Sequence, residues 1–288
     1  MEKLKKNRAF SFIAVLLVYI IATLVGILVY NGLNIRWWLA LLIADISATI
    51  VTFVFSLIFK NASVYDPYWS VQPIVILLAF FIKNQITPLG ILLLIAVCFW
   101  GIRLTVNWAY TFKNLTCQDW RYTMLKNKTG KFYFFINLFG IHLVPTLVVY
   151  GCILPAVCAI IWCLPLNVGS VIFISISILS AIMQGIADIQ MHKFRKNKNG
   201  SFIRNGLWKY SRHPNYLGEI LMWWGIGLAT VISAQDQLYL LFGALSNTAL
   251  FLLVSIPMAD KRQSRKEGFN EYKKQTRMLL PIYKRGTK

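Results

Sequence analysis

The chain alternates long apolar runs with short, strongly basic segments. Runs of roughly 20 apolar residues are long enough to cross a bilayer as helices. The pattern predicts spans at Phe10–Tyr30, Trp37–Phe59, Asp66–Ile82, Thr87–Tyr110, Phe132–Trp162, Val168–Met191, Tyr216–Ile232 and Leu238–Met258. The third is short enough to be re-entrant. The fifth is long, and Pro145 and Pro155 are expected to kink or divide it. The first run exceeds a signal-peptide core and no A-x-A site follows, so it reads as a retained span. The expected fold is all-α: a polytopic transmembrane bundle of seven or eight spans, with loops able to form a cofactor site. No internal repeat or linker divides it. Residues 1–288 read as a single integral membrane domain, with N-terminal spans over 1–60 and a core over 61–288.

Composition agrees with the pattern. Hydrophobic residues are 57% and charged residues 14% of the chain, against roughly 25% charged in a soluble domain. The net charge of +20 would suit nucleic acid, but the charges lie between the apolar runs. Orientation in a membrane explains them better, and no nucleic-acid partner is expected. With both termini cytoplasmic, every lysine and arginine faces the cytoplasm except Arg36, Lys83 and the intraspan Arg103. The same choice gathers the polar segments 112–131, 192–213 and 259–288 on that face. The glycosylation triplets at Asn61, Asn114 and Asn127 also fall there, so they are expected to be unused. The five cysteines form no CxxC pair and read as small apolar fillers. No metal-ligand spacing occurs, and no metal is expected. Neither GxGxxG after a strand nor GxxxxGK[ST] is present, so a nucleotide would be held by the helical bundle and its loops.

The polar chemistry concentrates between Asp188 and Glu219. Gln184 and Asp188 lie four apart on one helical face, and Arg195 follows two turns later. A carboxylate accepts from ribose hydroxyls and a guanidinium clamps phosphate, so the row suits a nucleotide-like ligand. A solvated juxtamembrane basic run is the plainer alternative. In SRHPNYLGE, Ser211 can cap a helix that has Pro214 in its first turn, projecting Asn215, Tyr216 and Glu219. Within the spans, Arg103 shares a face with Asn107 and reads either as functional or as an ion-paired buried charge. Asp66 could cap a helix with Pro67 at its first position, and Asp45 could bond a neighbouring helix. His192 reads as interfacial.

Four stretches carry a family resemblance: RNGLWKYSRHPNYLGEILMWWGIGL, YDPYWSVQP, WGIRLTVNW and DWRY. Together they resemble the steroid 5-alpha-reductase C-terminal superfamily, in its bacterial-type branch DUF1295, over roughly Tyr65 to Pro281. The resemblance implies an NADPH-dependent membrane reductase acting on a carbon–carbon double bond, an enone, in a steroid-like or other lipid. It implies that Gln184, Asp188, Arg195, Asn215, Tyr216 and Glu219 contact NADPH, with Arg212 and His213 in the same motif. Arg195, Lys196 and Lys198 would take the ribose 2′-phosphate, and Arg265, Tyr272 and Arg277 would close the site. Asp66 stands where the family's catalytic acid stands, with Arg103 beside the chemistry. The family's tyrosine falls on Trp100, so Tyr65 or Tyr68 is expected to substitute. Trp69, Trp100 and Asn107 would line the lipid. RHPxY is shared with isoprenylcysteine carboxyl methyltransferases, so an S-adenosylmethionine-dependent methyltransferase is the alternative, and a non-enzymatic lipid-binding protein the third. Bacterial inner membrane and endoplasmic reticulum are both compatible.

Overall fold

A computed structural model describes residues 2–197, 201–235 and 237–281. Among these residues the structure is helical, and the extended pairing is a lone parallel bridge between Ser211 and Arg277. Eight helical segments are long and apolar enough to cross a membrane. The protein is an integral, multi-pass membrane protein. In lipid no water satisfies backbone N–H and C=O groups, so apolar runs of this length fold as helices.

The first four segments follow the expected spans. They are α1 (Arg8–Gly32), α2 (Trp37–Phe59), α3 (Tyr68–Lys83) and α4 (Pro88–Thr111). A 3-10 turn at Ala62–Tyr65 leads into α3, and the two together reach 22 residues. That is the length of a crossing segment rather than a short re-entrant one.

The fifth segment departs from expectation. Helical structure runs from Trp120 to Ile161, 42 residues, instead of starting at Phe132. It comprises α5 (Trp120–Thr129), a 3-10 turn at Gly130–Phe132, π-helical turns at Ile136–Leu143 and α6 (Val144–Ile161). Gly130 supplies the first bend with φ +50°, which a side chain would strain. The widened turns end at Leu143, two residues before Pro145, which has no N–H and crowds the carbonyl four residues back. Neither proline divides the segment, and Pro155 stays inside α6.

The remaining elements are α7 (Val168–Lys196), α8 (Pro214–Ala234), α9 (Phe242–Leu250), α10 (Ile256–Gln263) and α11 (Phe269–Gln275). Asn167 caps α7 by accepting from Ser170 N at 2.8 Å. Helix α7 continues past the expected Met191 to Lys196.

The chain forms two compact units whose boundaries fall inside helices. The first holds residues 1–79 and 104–150. Its core joins Val15, Val18 and Tyr19 of α1 to Ala48, Val64, Tyr65, Tyr68 and Phe112. Lys5 Nζ closes the end of α2 by donating to Phe59 O at 2.9 Å. The second holds residues 80–103 and 151–288. There α7 and α8 approach closely through small residues. A Cβ on Gly225 would meet Ser177 Oγ at 2.1 Å and Phe173 O at 2.6 Å. Small residues do this work in membranes, where burial of apolar surface drives helix association weakly.

Candidate functional site

The second unit gathers the polar residues that the sequence left scattered. Gln184 and Asp188 share one face of α7, as their spacing requires. Arg103 reaches both. Its Nη1 sits 2.8 Å from Asp188 Oδ2, and its Nη2 donates to Gln184 Oε1. The arginine stem packs over Gly185, where a Cβ would meet Arg103 Cδ in ordinary contact at 3.5 Å. One turn earlier on α4, Trp100 is fully buried and donates its Nε1 to Glu219 Oε2 at 2.9 Å. Trp223 donates to Glu219 Oε1, also at 2.9 Å. The two indoles pack edge to face, 4.8 Å between centroids.

Arg103 and Trp100, expected on the catalytic and lipid-facing side, contact residues expected to hold the cofactor. Arg103 is the ion-paired intramembrane charge that the plainer reading anticipated. Trp100, at the position of the family's tyrosine, donates its indole N–H to the Glu219 carboxylate. Among the buried polar atoms of this unit that lack a partner are Gln184 Nε2, Arg103 Nε and Asn215 Oδ1. Two donors and an acceptor can therefore be offered to a ligand, whereas both oxygens of Glu219 are taken.

The RHPNY motif starts α8 differently from expectation. His213, not Ser211, occupies the cap position, with Pro214 at the first helical turn. Ser211 Oγ instead lies 3.3 Å from His213 N. Arg212 and His213 both grip Asp260 of α10, each at 3.0 Å. Arg212 Nη1 also donates to Thr276 O at 2.7 Å, and its backbone N donates to Arg277 O at 3.0 Å. Tyr216 stacks on His213, 5.2 Å away and 5° from parallel. The Tyr272 hydroxyl donates to Trp208 O, and burial pushes its phenol pKa up. Arg212, His213 and Tyr272 thus fasten the C-terminal tail to the start of α8. The side chains of Arg265 and Arg277 are exposed. Sequence reasoning missed Asp260, although a lone aspartate at the head of a basic segment was the available signal.

A basic group stands at the end of α7. Arg195 and Lys196 are exposed on its last turn. Lys266 Nζ donates to Ser201 O at 2.8 Å. Partial burial, then Arg262 and Arg195, hold its ammonium below the usual lysine pKa. Such mutual repulsion is relieved by an anion, and phosphate is the natural one. Lys198 lies outside the described residues.

In the first unit, Asp66 does not cap α3. Its carboxylate accepts from the Tyr122 hydroxyl at 2.5 Å. Asp119 positions that tyrosine by capping α5, accepting from Arg121 N at 2.8 Å. The phenol beside the acid is therefore Tyr122 of DWRY, which sequence reasoning did not single out. Tyr65 pairs with Thr146 at 2.8 Å and Tyr68 with Asp45 at 3.5 Å. Trp69 and Asn107 are half-buried in this unit.

A family profile described as "Protein of unknown function (DUF1295)" matches residues 52–276. The chain belongs to the DUF1295 family. No curated protein and no solved structure matches it. The DUF1295 match takes in Asp66, Tyr122, Arg103, Gln184, Asp188 and the RHPNY motif, and leaves Asp45 outside.

Proposed function

We propose that this DUF1295 protein is an NADPH-dependent reductase of a carbon–carbon double bond conjugated to a carbonyl in a lipid. The observation that carries the reading is the polar group of the second unit. Gln184, Asp188 and Arg103 are knit together at one face of α7 and still leave Gln184 Nε2 and Arg103 Nε unpartnered. The donor set fits a dinucleotide. Asp188 and Gln184 suit ribose hydroxyls and amide groups, Asn215 Oδ1 accepts one more N–H or O–H, and Arg195, Lys196 and Lys266 suit phosphates.

NADPH, when bound, supplies a hydride to the β-carbon of the double bond. The protein's own residues do the rest. Arg103 fixes the orientation of Asp188 and Gln184. Arg212, His213 and Asp260 fasten α8, which carries Asn215. The Tyr122 hydroxyl, hydrogen-bonded to Asp66, is a proton donor suited to the carbonyl oxygen on which negative charge grows. One hydride and one proton are added across the enone in such a reduction. The hydrogen bond between Tyr122 and Asp66 supports this reading of an acid and a phenol acting together. The distribution of lysine and arginine supports cytoplasmic termini, which puts the cofactor on the cytoplasmic side.

The test uses purified protein in lipid nanodiscs with NADPH deuterated at C4 and an enone sterol. One deuterium should appear on the β-carbon. Asp66→Asn and Tyr122→Phe should slow transfer by about a hundredfold while NADPH still binds. NADPH binding without transfer to any enone lipid would overturn the reductase. No NADPH binding would overturn the site as well.

A further inference from the structure

The first unit carries an open groove that the hydride chemistry does not use. Its volume is about 740 Å³, and Gln118, Trp120, Thr123, Met124, Asn127 and Lys128 line it. Pockets that hold small ligands are of this size. The lining follows from the sequence of α5. Trp120 and Met124 lie four apart and make an apolar row, Thr123 and Asn127 make a polar row beside it, and Lys128 continues the first row by one turn. Gln118 braces the start, its Oε1 accepting from Ala62 N at 3.0 Å and its Nε2 donating to Thr123 Oγ1 at 3.3 Å.

Charge and hydrophobicity around the groove point to one kind of occupant. From Lys113 to Lys131 the chain has five basic residues and one acid. That acid, Asp119, is committed to Arg121 at 2.8 Å. Among the described residues Lys113, Lys126, Lys128 and Lys131 have no ion pair. Immediately after Lys131 the apolar run begins, and Phe132, Phe134 and Phe135 are exposed. Lysines without counter-charges call for an anion, and exposed phenylalanines at the head of a span call for hydrocarbon. An anionic phospholipid supplies both in one molecule.

We propose that this groove binds the headgroup of an anionic phospholipid. The phosphate lies against Lys128, with the Asn127 amide as a further donor. The glycerol rests on Trp120 and Met124, and the acyl chains pass Phe132, Phe134 and Phe135. A zwitterionic headgroup brings its own ammonium and gains less from the lysines. The groove shares α5 with Tyr122 but does not include it, so the proposal is independent of the reductase reading.

The experiment is photolabelling in phosphatidylcholine nanodiscs, without NADPH, followed by peptide mapping. The probes are phosphatidylglycerol and phosphatidylcholine, each with a diazirine close to the glycerol. Phosphatidylglycerol should label the peptides of residues 113–135 about tenfold better than phosphatidylcholine. Lys128→Gln should cut that preference about fivefold, the effect of one lysine close to an anionic headgroup. Lys113→Gln removes the same charge outside the groove and should leave most of the preference. Equal labelling by the two lipids overturns the proposal. Equal losses in the two variants also overturn it, since they mean diffuse attraction to a basic surface. Displacement of the probe by millimolar glycerol phosphate overturns it too, because the groove then takes a soluble anion.

Discussion

Replacing Glu219 by glutamine probes the polar group of the second unit. The carboxylate is 4% exposed and accepts from the indoles of Trp100 and Trp223 at 2.9 Å each. Glutamine keeps the shape but turns one oxygen into an N–H donor, so one indole N–H must face another donor. A hydrogen bond to a charged group contributes about 1.5–3 kcal/mol, and a buried donor left unmet costs about 1–3 kcal/mol. The retained bond also weakens from charged to neutral. Glu219→Gln should therefore destabilise by about 2–4 kcal/mol. In a Trp100→Phe background the amide NH₂ can point at the phenylalanine ring, and the same change should cost only about 1–2 kcal/mol. The predicted coupling is about 1–2 kcal/mol, within the range for residues in direct contact. Equilibrium unfolding in mixed micelles, followed by far-ultraviolet ellipticity, measures it on the wild type, both single variants and the double. The cavity left by Trp100→Phe cancels in the cycle. Additivity within about 0.5 kcal/mol would refute the paired-indole account.

Other consequences follow from neighbouring contacts. Asp260→Asn leaves Arg212 buried without its counter-charge, and should cost about 3 kcal/mol and expose residues 276–281 to limited proteolysis. Gly225→Ala drives a methyl group into Ser177 and Phe173, and should cost about 1–3 kcal/mol in unfolding midpoint assays. Gly32→Ala, with open space around it, should be silent in the same assay. Arg195→Ala should narrow any preference for NADPH over NADH in direct binding measurements, while Asp188→Ala should weaken both cofactors.

The spans were legible because a bilayer demands long uninterrupted apolar helices, and nothing local competes with that demand. The fifth span was misjudged because Trp120–Thr129 is polar enough to read as a loop, yet Asp119 caps it into a helix continuous with the apolar run. Gln184 and Asp188 were readable as a pair because they share one helix. Their meeting with Arg103 was not, since it depends on how α4 packs on α7. The same holds for Trp100 with Glu219, Tyr122 with Asp66, and Asp260 with Arg212 and His213. Each joins residues far apart in sequence, where periodicity carries no information. The partners of Tyr65 and Tyr68 were hidden for a related reason. Closeness to Asp66 in sequence does not bring a phenol to its carboxylate, because the 3-10 turn sends the Tyr65 side chain to Thr146.

The most direct test of the cofactor site is the melting temperature of the detergent-purified protein with NADPH, NADH and S-adenosylmethionine added in turn. A ligand present at a hundred times its Kd stabilises the folded state by about 2.7 kcal/mol. The account predicts a clear upward shift with NADPH, a smaller one with NADH, none with S-adenosylmethionine, and loss of the NADPH shift in Asp188→Ala. A shift with S-adenosylmethionine alone, or an NADPH shift that Asp188→Ala leaves intact, would contradict it.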